Sequence, residues 1–412
     1  LKFRNTTLAN GLEVVAECDD DAYSTAVGFF VKTGARDESD ANSGVSHFLE
    51  HMVFKGTPRR TADDVNREFD ELGADYNAYT SEENTVYHAA VLPEYQGRAV
   101  ELLGDIMRPS LRAEDFTTEK QVILEEIRMY DDQPPFGADD KCRAAFFSGH
   151  PLGRSVLGTV ETVSALSVEA MRKYFDERYS PRNILLVGAG RIDFDDLVET
   201  ATQVCGTWSP FESRRLLPAA RPAEVFKVLH KETATQEYLI EMAAAPAATD
   251  PDRYAAKVLS VILGDDTGSR LYWKLVDPGL AEQASLHYSG YHGAGAFITW
   301  LSCDPDQSAG NLQAVLDVYR EAEGSGITDA ELVQAKNKIK SRIVLSSERP
   351  RGRLFVVGSH WSYRREYRSV RDDLDAIDAV TVDQIARLLA NYPLSRNTSF
   401  LVGPLTDVAK PT

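Results

Sequence analysis

The sequence predicts an α+β fold built from two similar halves, each with helices packed on a sheet. Two observations carry this. Strand-like runs, Leu12–Ala16 and Thr25–Val31, stand before a helix-patterned stretch that begins at Val45, and later helical patterns alternate with strands such as Ile184–Val187. The chain also repeats itself: Ala165-Leu-Ser-Val-Glu-Ala-Met, running on to Arg182-Asn183, recurs 214 positions later as Ala379-Val-Thr-Val-Asp-Gln-Ile, running on to Arg396-Asn397. One residue later in register, Val187-Gly188 matches Val402-Gly403. Helix, strand and terminal glycine keep the same order in both copies.

The halves are expected at residues 1–210 and 225–412, joined by a linker at 211–224. The run Ser209–Glu224 is polar and holds Pro210, Pro218, Pro222 and three arginines, which suits exposed chain. Each half, at about 200 residues, is large enough to bury its own core.

The helix from Val45 carries His47-Phe48-Leu49-Glu50-His51. At 3.6 residues per turn His51 lies about 40° around the helix from His47, and Glu50 about 60° the other way, so all three share a face. Val45, Phe48, Leu49, Met52, Val53 and Phe54 are apolar almost all round, which places the helix in an interior where unpartnered imidazole and carboxylate would be costly. Ser43 is the expected N-cap, and Gly56-Thr57-Pro58 the expected stop. Two imidazoles four residues apart can grip one metal ion, and the glutamate between them supplies a base. On the motif alone, a chance match stands as the alternative.

Catalytic zinc needs a third protein ligand. In the helical run Glu119–Tyr130, Val122, Ile123, Met129 and Tyr130 fall within about 60° of Glu126, which puts this carboxylate in the middle of the apolar face, at the centre of a buried stripe, while Glu125 looks toward solvent. Such a carboxylate takes up a proton or pairs with a cation. Glu126 is the expected ligand, with a satisfied buried glutamate as the other reading. Glu119 shares its face and is expected behind the metal, orienting a histidine, against the plainer reading of an ordinary helix-face carboxylate.

These residues carry a resemblance across the whole chain. The sequence resembles the pitrilysin, or insulinase, class of zinc peptidases (peptidase family M16), in the branch of subunits of this length that includes the mitochondrial processing peptidase. That class carries an inverted H-x-x-E-H motif followed by an E-x6-E pair whose second member is the last ligand. The matching positions are His47, Glu50, His51, Glu119 and Glu126. Flanking text matches too: Gly44-Val45-Ser46, Phe54-Lys55-Gly56-Thr57, Asn77-Ala78-Tyr79-Thr80-Ser81 and Glu125-Glu126-Ile127-Arg128-Met129. The resemblance implies that each half is a mostly antiparallel sheet covered by helices, and that two subunits form a chamber around the peptide, as a homodimer or as a heterodimer with a related subunit. It further implies one Zn2+ per chain and a peptide lying as an added strand beside Asp75–Ser81, paired with backbone at Asn77, Ala78 and Tyr79.

By pattern, the second half reads Ser269-Arg270-Leu271-Tyr272-Trp273-Lys274 where the first reads Ser46 to His51, and Lys336-Asn337-Lys338-Ile339-Lys340 where the first has Glu126. Cations cannot ligate zinc, so this half is read as non-catalytic. Members of the class usually follow this segment with an arginine and a tyrosine that hold the peptide. Here those places read Val276 and Glu282, in a stretch one residue short. The expected function is a zinc metalloendopeptidase acting on peptides or small unfolded polypeptides, Glu50 activating water. The alternatives are a non-catalytic subunit of a peptidase-like complex, the zinc-bearing half of a heterodimer whose partner supplies the Arg–Tyr pair, and a metal-dependent hydrolase acting on something other than peptides.

Composition fits a soluble enzyme: 43% hydrophobic and 26% charged residues, with no apolar run long enough to span a membrane. Forty-five basic against sixty-three acidic residues give a net charge of −18, which disfavours nucleic acid and would draw basic peptides into an acidic cavity, or simply aids solubility. Cys18, Cys142, Cys205 and Cys303 lack metal or redox spacing and are expected as reduced structural thiols, with the cytoplasm somewhat favoured as compartment. The chain opens on Leu1, so processing is expected and any targeting peptide would already be gone. Val187-Gly-Ala-Gly-Arg-Ile-Asp193 lacks the third glycine of a dinucleotide fingerprint and is read as a strand end. His287, His292 and His360 are read as structural or surface residues.

Overall fold

The computed structural model describes residues 1–132 and 137–412. Its strands, in chain order, are Lys2–Thr7 (β1), Glu13–Cys18 (β2), Thr25–Val31 (β3), Asp75–Thr80 (β4), Thr85–Val91 (β5), Ile184–Gly190 (β6), Phe226–His230 (β7), Glu237–Ala244 (β8), Gln283–Tyr291 (β9), Ala294–Cys303 (β10) and Asn397–Gly403 (β11). The helices are Val45–Val53 (α1), Ala62–Glu71 (α2), Gln96–Ile106 (α3), Ala113–Asp132 (α4), Ala138–Phe146 (α5), Val160–Ala165 (α6), Val168–Arg178 (α7), Phe194–Cys205 (α8), Arg253–Gly264 (α9), Ser308–Ser325 (α10), Asp329–Ser347 (α11), Pro350–Arg364 (α12), Val370–Asp378 (α13) and Val382–Asn391 (α14). Tyr272–Val276 is a π-helical turn.

The chain forms two compact units. The first comprises Leu1–Arg128, Arg154–Leu216 and Leu345–Arg368; the second comprises Met129–Gly153, Leu217–Val344 and Ser369–Thr412. They differ from contiguous blocks at 1–210 and 225–412 by a reciprocal exchange: α5 belongs to the second unit and α12 to the first. Packing explains it, since α5 buries Cys142 and Phe146 among Ile240, Met242 and Phe400, and α12 buries Leu354 and Val357 among Val15, Phe30 and Val187.

In the first unit the sheet order is β1-β2-β6-β3-β5-β4, antiparallel throughout except for the β2–β6 pair. Every residue of β3 and β6 is buried, because α12 covers one face and the other helices cover the opposite one. A strand buried on both faces reads as a continuous apolar run, as Thr25–Val31 does. Arg353 of α12 fixes that cover with two hydrogen bonds to Glu17, at 2.7 and 2.5 Å, and Tyr367 donates to the same carboxylate at 2.7 Å. Gly358 lets α12 lie on the Phe30 ring, where a Cβ would fall 2.4 Å from a ring carbon.

In the second unit the order is β7-β11-β8-β10-β9, with β7–β11 parallel and the other pairs antiparallel. Strands β2 to β6 therefore correspond one by one to β7 to β11, and β1 is an addition. The repeat seen in the sequence falls on equivalent helix starts: Ser167 and Thr381 cap α7 and α14, each hydroxyl accepting a backbone N–H at 3.2 Å.

Candidate metal centre

Helix α1 is held at its N-terminus by long-range contacts. Ser43 does not cap it. The N-cap is Gly44, at φ 92°, where a Cβ would meet the Leu157 carbonyl oxygen at 2.5 Å. The free N–H groups go instead to buried Glu38, which accepts from Gly44 at 2.7 Å and from Ser46 at 2.8 Å. Burial pushes the Glu38 carboxyl up to about 7, against the pull of those N–H bonds. Phe48 stacks on Phe116 of α4 with ring centroids 4.6 Å apart, and α1 ends at Val53, ahead of Gly56.

This packing brings His47, His51 and Glu126 together, with one ligand atom from each within 4.8 Å of the others. Among the described residues this is the one such group of three. Nε2 of His47 and Nε2 of His51 both lie 3.8 Å from Glu126 Oε2. That is too far for a hydrogen bond, and only slightly wider than the roughly 3.3 Å edge of a tetrahedron with zinc-to-ligand distances of about 2.0–2.1 Å. Two imidazole nitrogens and a carboxylate oxygen are the donor set zinc takes. His47 Nδ1 is buried and has no hydrogen-bond partner among the described residues. Burial, with His51 beside it, pulls the His47 pKa down to about 3, so the ring is neutral as a ligand must be.

His51 is held from behind. Its Nδ1 lies 2.8 Å from Glu119 Oε1, and Lys55 Nζ lies 2.6 Å from Glu119 Oε2. A carboxylate only accepts, so Nδ1 carries the proton and Nε2 keeps its lone pair for the centre. Burial pulls the His51 pKa down, but the Glu119 bond and the nearby carboxylates outweigh it and the net shift is upward. On Glu119 burial pushes up, and the His51 and Lys55 bonds overcome it and lower the pKa. Glu126 is raised by burial.

The position of Glu126 differs from the helical-wheel expectation. The buried stripe of α4 is Phe116, Glu119, Ile123, Leu124 and Ile127; Glu126 stands at its border with 24% of its side chain exposed, flanked by Val122 and Met129, each 48% exposed. Glu119, not Glu126, is the carboxylate within the stripe.

Glu50 sits beside the cluster, raised in pKa chiefly by burial. Thr80, at the end of β4, donates its hydroxyl to Glu50 Oε2 at 2.6 Å. Among the described residues β4 is an edge: it pairs with β5 and has no strand beyond it. Its side chains alternate, with Asp75, Asn77 and Tyr79 exposed and Tyr76, Ala78 and Thr80 half-buried. Neither Thr80 nor Glu38 belongs to the metal-binding motif; the Asn77–Ser81 match is the sequence signal for Thr80, and nothing local marks Glu38.

In the second unit the segment that matches Ser46–His51 by sequence pattern lies among ion pairs: Arg270 donates to both Glu331 oxygens, at 2.7 and 3.0 Å, and Lys338 donates to Asp265 at 2.7 Å. Val276 ends the π-helical turn and packs on the second core, and Glu282 accepts from Gln236 at 2.5 Å. His287, on β9, is exposed. The four cysteines are unpaired, with Cys142, Cys205 and Cys303 buried. No described helix is long and apolar enough to cross a membrane.

Comparison with known proteins agrees along the length of the chain. It is 32% identical over 406 residues to a protein named an uncharacterized zinc protease from Mycobacterium leprae, covering 97% of this chain and 91% of that one. A Streptomyces coelicolor protein of the same designation is 32% identical over 415 residues, covering 98% and 90%. Among solved structures, a protease from Helicobacter pylori superposes with a TM-score of 0.91 at 22% identity, covering 97% of this chain and 99% of that one. A chain of complex III2 from Candida albicans superposes at 0.86 with 18% identity, covering 98% and 96%. These two likenesses establish the shared fold. The model of the insulinase family, peptidase family M16, matches residues 13–160, the model of the M16 inactive domain matches residues 165–339, and the chain belongs to this family.

Proposed function

We propose that the protein is a zinc metalloendopeptidase in which His47, His51 and Glu126 hold one zinc ion per chain and Glu50 is the general base. The carrying observation is that His47 Nε2 and His51 Nε2 each lie 3.8 Å from Glu126 Oε2, with the three ligand atoms within 4.8 Å of one another and Glu50 on the same helix as the two histidines. Zinc, when bound, supplies Lewis-acid polarisation of oxygen. Glu50 takes the proton from the attacking water at a carboxylate oxygen and returns it to the leaving nitrogen; a pKa raised by burial suits both transfers. The peptide lies as an added strand on the free edge of β4, its backbone paired at Asn77, Ala78 and Tyr79, so side-chain selectivity is loose. The net charge of −18 favours basic peptides.

With Val276 and Glu282 where the family usually carries arginine and tyrosine, the carbonyl is held by other groups. A related subunit bearing that pair is the natural supplier, which makes a heterodimer the working form and a homodimer the alternative. A purely non-catalytic role is disfavoured by the complete ligand set and base.

The test is turnover of an internally quenched basic peptide by the zinc-loaded chain and by Glu50→Gln. The variant should keep its zinc and lose about 10²–10⁴-fold in rate. Turnover retained in Glu50→Gln overturns the assignment, and zinc binding without turnover in the wild type points to the missing subunit, whose addition should then restore cleavage.

A further inference from the structure

We infer that Thr80 is a positioning residue for Glu50, so that the strand offered to the peptide also aligns the base; this rests on the peptidase reading above. The Thr80 hydroxyl is, among the described residues, the hydrogen-bond partner of the Glu50 carboxylate, at 2.6 Å. Glu50 has three rotatable side-chain bonds and, among the described residues, gains no other hydrogen bond that fixes them. Removing this contact frees the carboxylate to swing.

The hydroxyl is itself aimed. Alternation along β4 turns Tyr76, Ala78 and Thr80 to one face, and Tyr76 is fixed there by stacking on Phe69 with centroids 4.0 Å apart. The next neighbour, Thr85 Oγ1, lies 3.5 Å from Thr80 Oγ1 and gives its own proton to the Thr33 carbonyl at 3.0 Å. Thr85 is fully buried, so toward Thr80 it offers only an acceptor. The single Thr80 proton therefore chooses between two acceptors and takes the nearer, charged one. The nearer acceptor, at 2.6 Å against 3.5 Å, is a Glu50 oxygen, so the hydroxyl holds that oxygen in one place.

The same geometry links substrate to base. Thr80 directly follows Tyr79, so a peptide paired along β4 would hold the backbone that carries the hydroxyl. Loss of the hydroxyl should fall on turnover rather than on peptide binding, which is made by backbone.

The experiment compares wild type, Thr80→Val, Thr80→Ala and Thr80→Ser on the quenched peptide, with zinc content and melting temperature measured for each. Valine keeps the shape and the strand preference. The expected result is unchanged zinc content and KM for Thr80→Val, with kcat lowered roughly 10- to 100-fold, the cost of a misplaced catalytic group. Thr80→Ser, which keeps the hydroxyl, should recover most of that loss, and Thr80→Ala serves in place of valine if the latter does not fold. Wild-type kcat in the valine or alanine variant, a loss confined to KM, loss of zinc, or a serine variant as slow as valine would each overturn the role of Thr80. Wild-type protein that cleaves no peptide, alone or with a related subunit, would instead overturn the peptidase reading itself.

Discussion

Glu119 Oε1 lies 2.8 Å from His51 Nδ1, and the other oxygen of the same carboxylate lies 2.6 Å from Lys55. The contact fixes both the ring plane and the tautomer of His51. Without it the ring must find its orientation when zinc arrives, so Glu119→Ala should weaken zinc binding about 10- to 100-fold in competition with a chromophoric chelator. Glu125→Ala, which removes an exposed carboxylate of the same helix, should bind as wild type does. Equal affinities in the two variants would show that His51 is oriented by something else.

Zinc should also stabilise the fold, because the cluster joins α1 to α4 within the folded chain and an ion bound to the native state alone shifts unfolding by mass action, about 4 kcal/mol at a thousandfold excess over Kd. The melting temperature should rise on zinc addition and fall back with a chelator. In His47→Ala this zinc-dependent shift should shrink or vanish; a full shift in that variant would place the ion elsewhere.

The parts of the site legible in the sequence are those whose geometry is local. His47, Glu50 and His51 sit within a helical turn or so, and helical periodicity puts them on one face whatever surrounds them. The wheel could not tell which of two apolar flanks of α4 is buried: Val122 and Met129 are apolar by type, yet the buried stripe runs through Ile123 and Ile127, and Glu126 stands at its edge. Ser43 has the chemistry of a cap, but Glu38, five residues further back, reaches the same N–H groups from within the core. The exchange of α5 and α12 is not written in the sequence pattern for a related reason. An amphipathic pattern says that one face of a helix is covered and leaves open which sheet covers it.

Covering the first sheet with α12 depends on Arg353, whose side chain is 6% exposed and meets a Glu17 side chain 2% exposed. Removing one partner leaves the other charge buried and unpaired, so Arg353→Ala should destabilise the first unit by about 3–5 kcal/mol in denaturant unfolding. Replacing both, as in Glu17→Gln with Arg353→Met, should recover part of the loss, since no buried charge then stands alone. A single substitution costing less than about 1 kcal/mol would mean that water or Tyr367 takes over the Glu17 carboxylate.

Glu241 makes the second unit sensitive to pH. It lies within β8, almost wholly buried, with one oxygen accepting from Ser399 at 3.0 Å and the other without a hydrogen-bond partner among the described residues. Burial pushes its carboxyl from 4.5 up to about 7, with the Ser399 bond only partly opposing the shift. Between those values the folded chain holds a proton that the unfolded chain has released, so the unfolding free energy falls as pH rises. The contribution is fully present below about pH 4.5 and is lost as pH passes through about 7, amounting to at most about 3 kcal/mol at 1.36 kcal/mol per pH unit. Glu241→Gln keeps a neutral acceptor for Ser399 and titrates in neither state. Denaturant unfolding of the second unit at pH 5 and pH 8 should therefore show a larger drop in wild type than in Glu241→Gln, the variant being the more stable of the two at pH 8. Glu38, also at about 7, titrates in the first unit in both proteins and cancels from the comparison. Parallel pH profiles for the two proteins would mean that Glu241 ionises at its ordinary pKa, with water reaching the oxygen that lacks a partner.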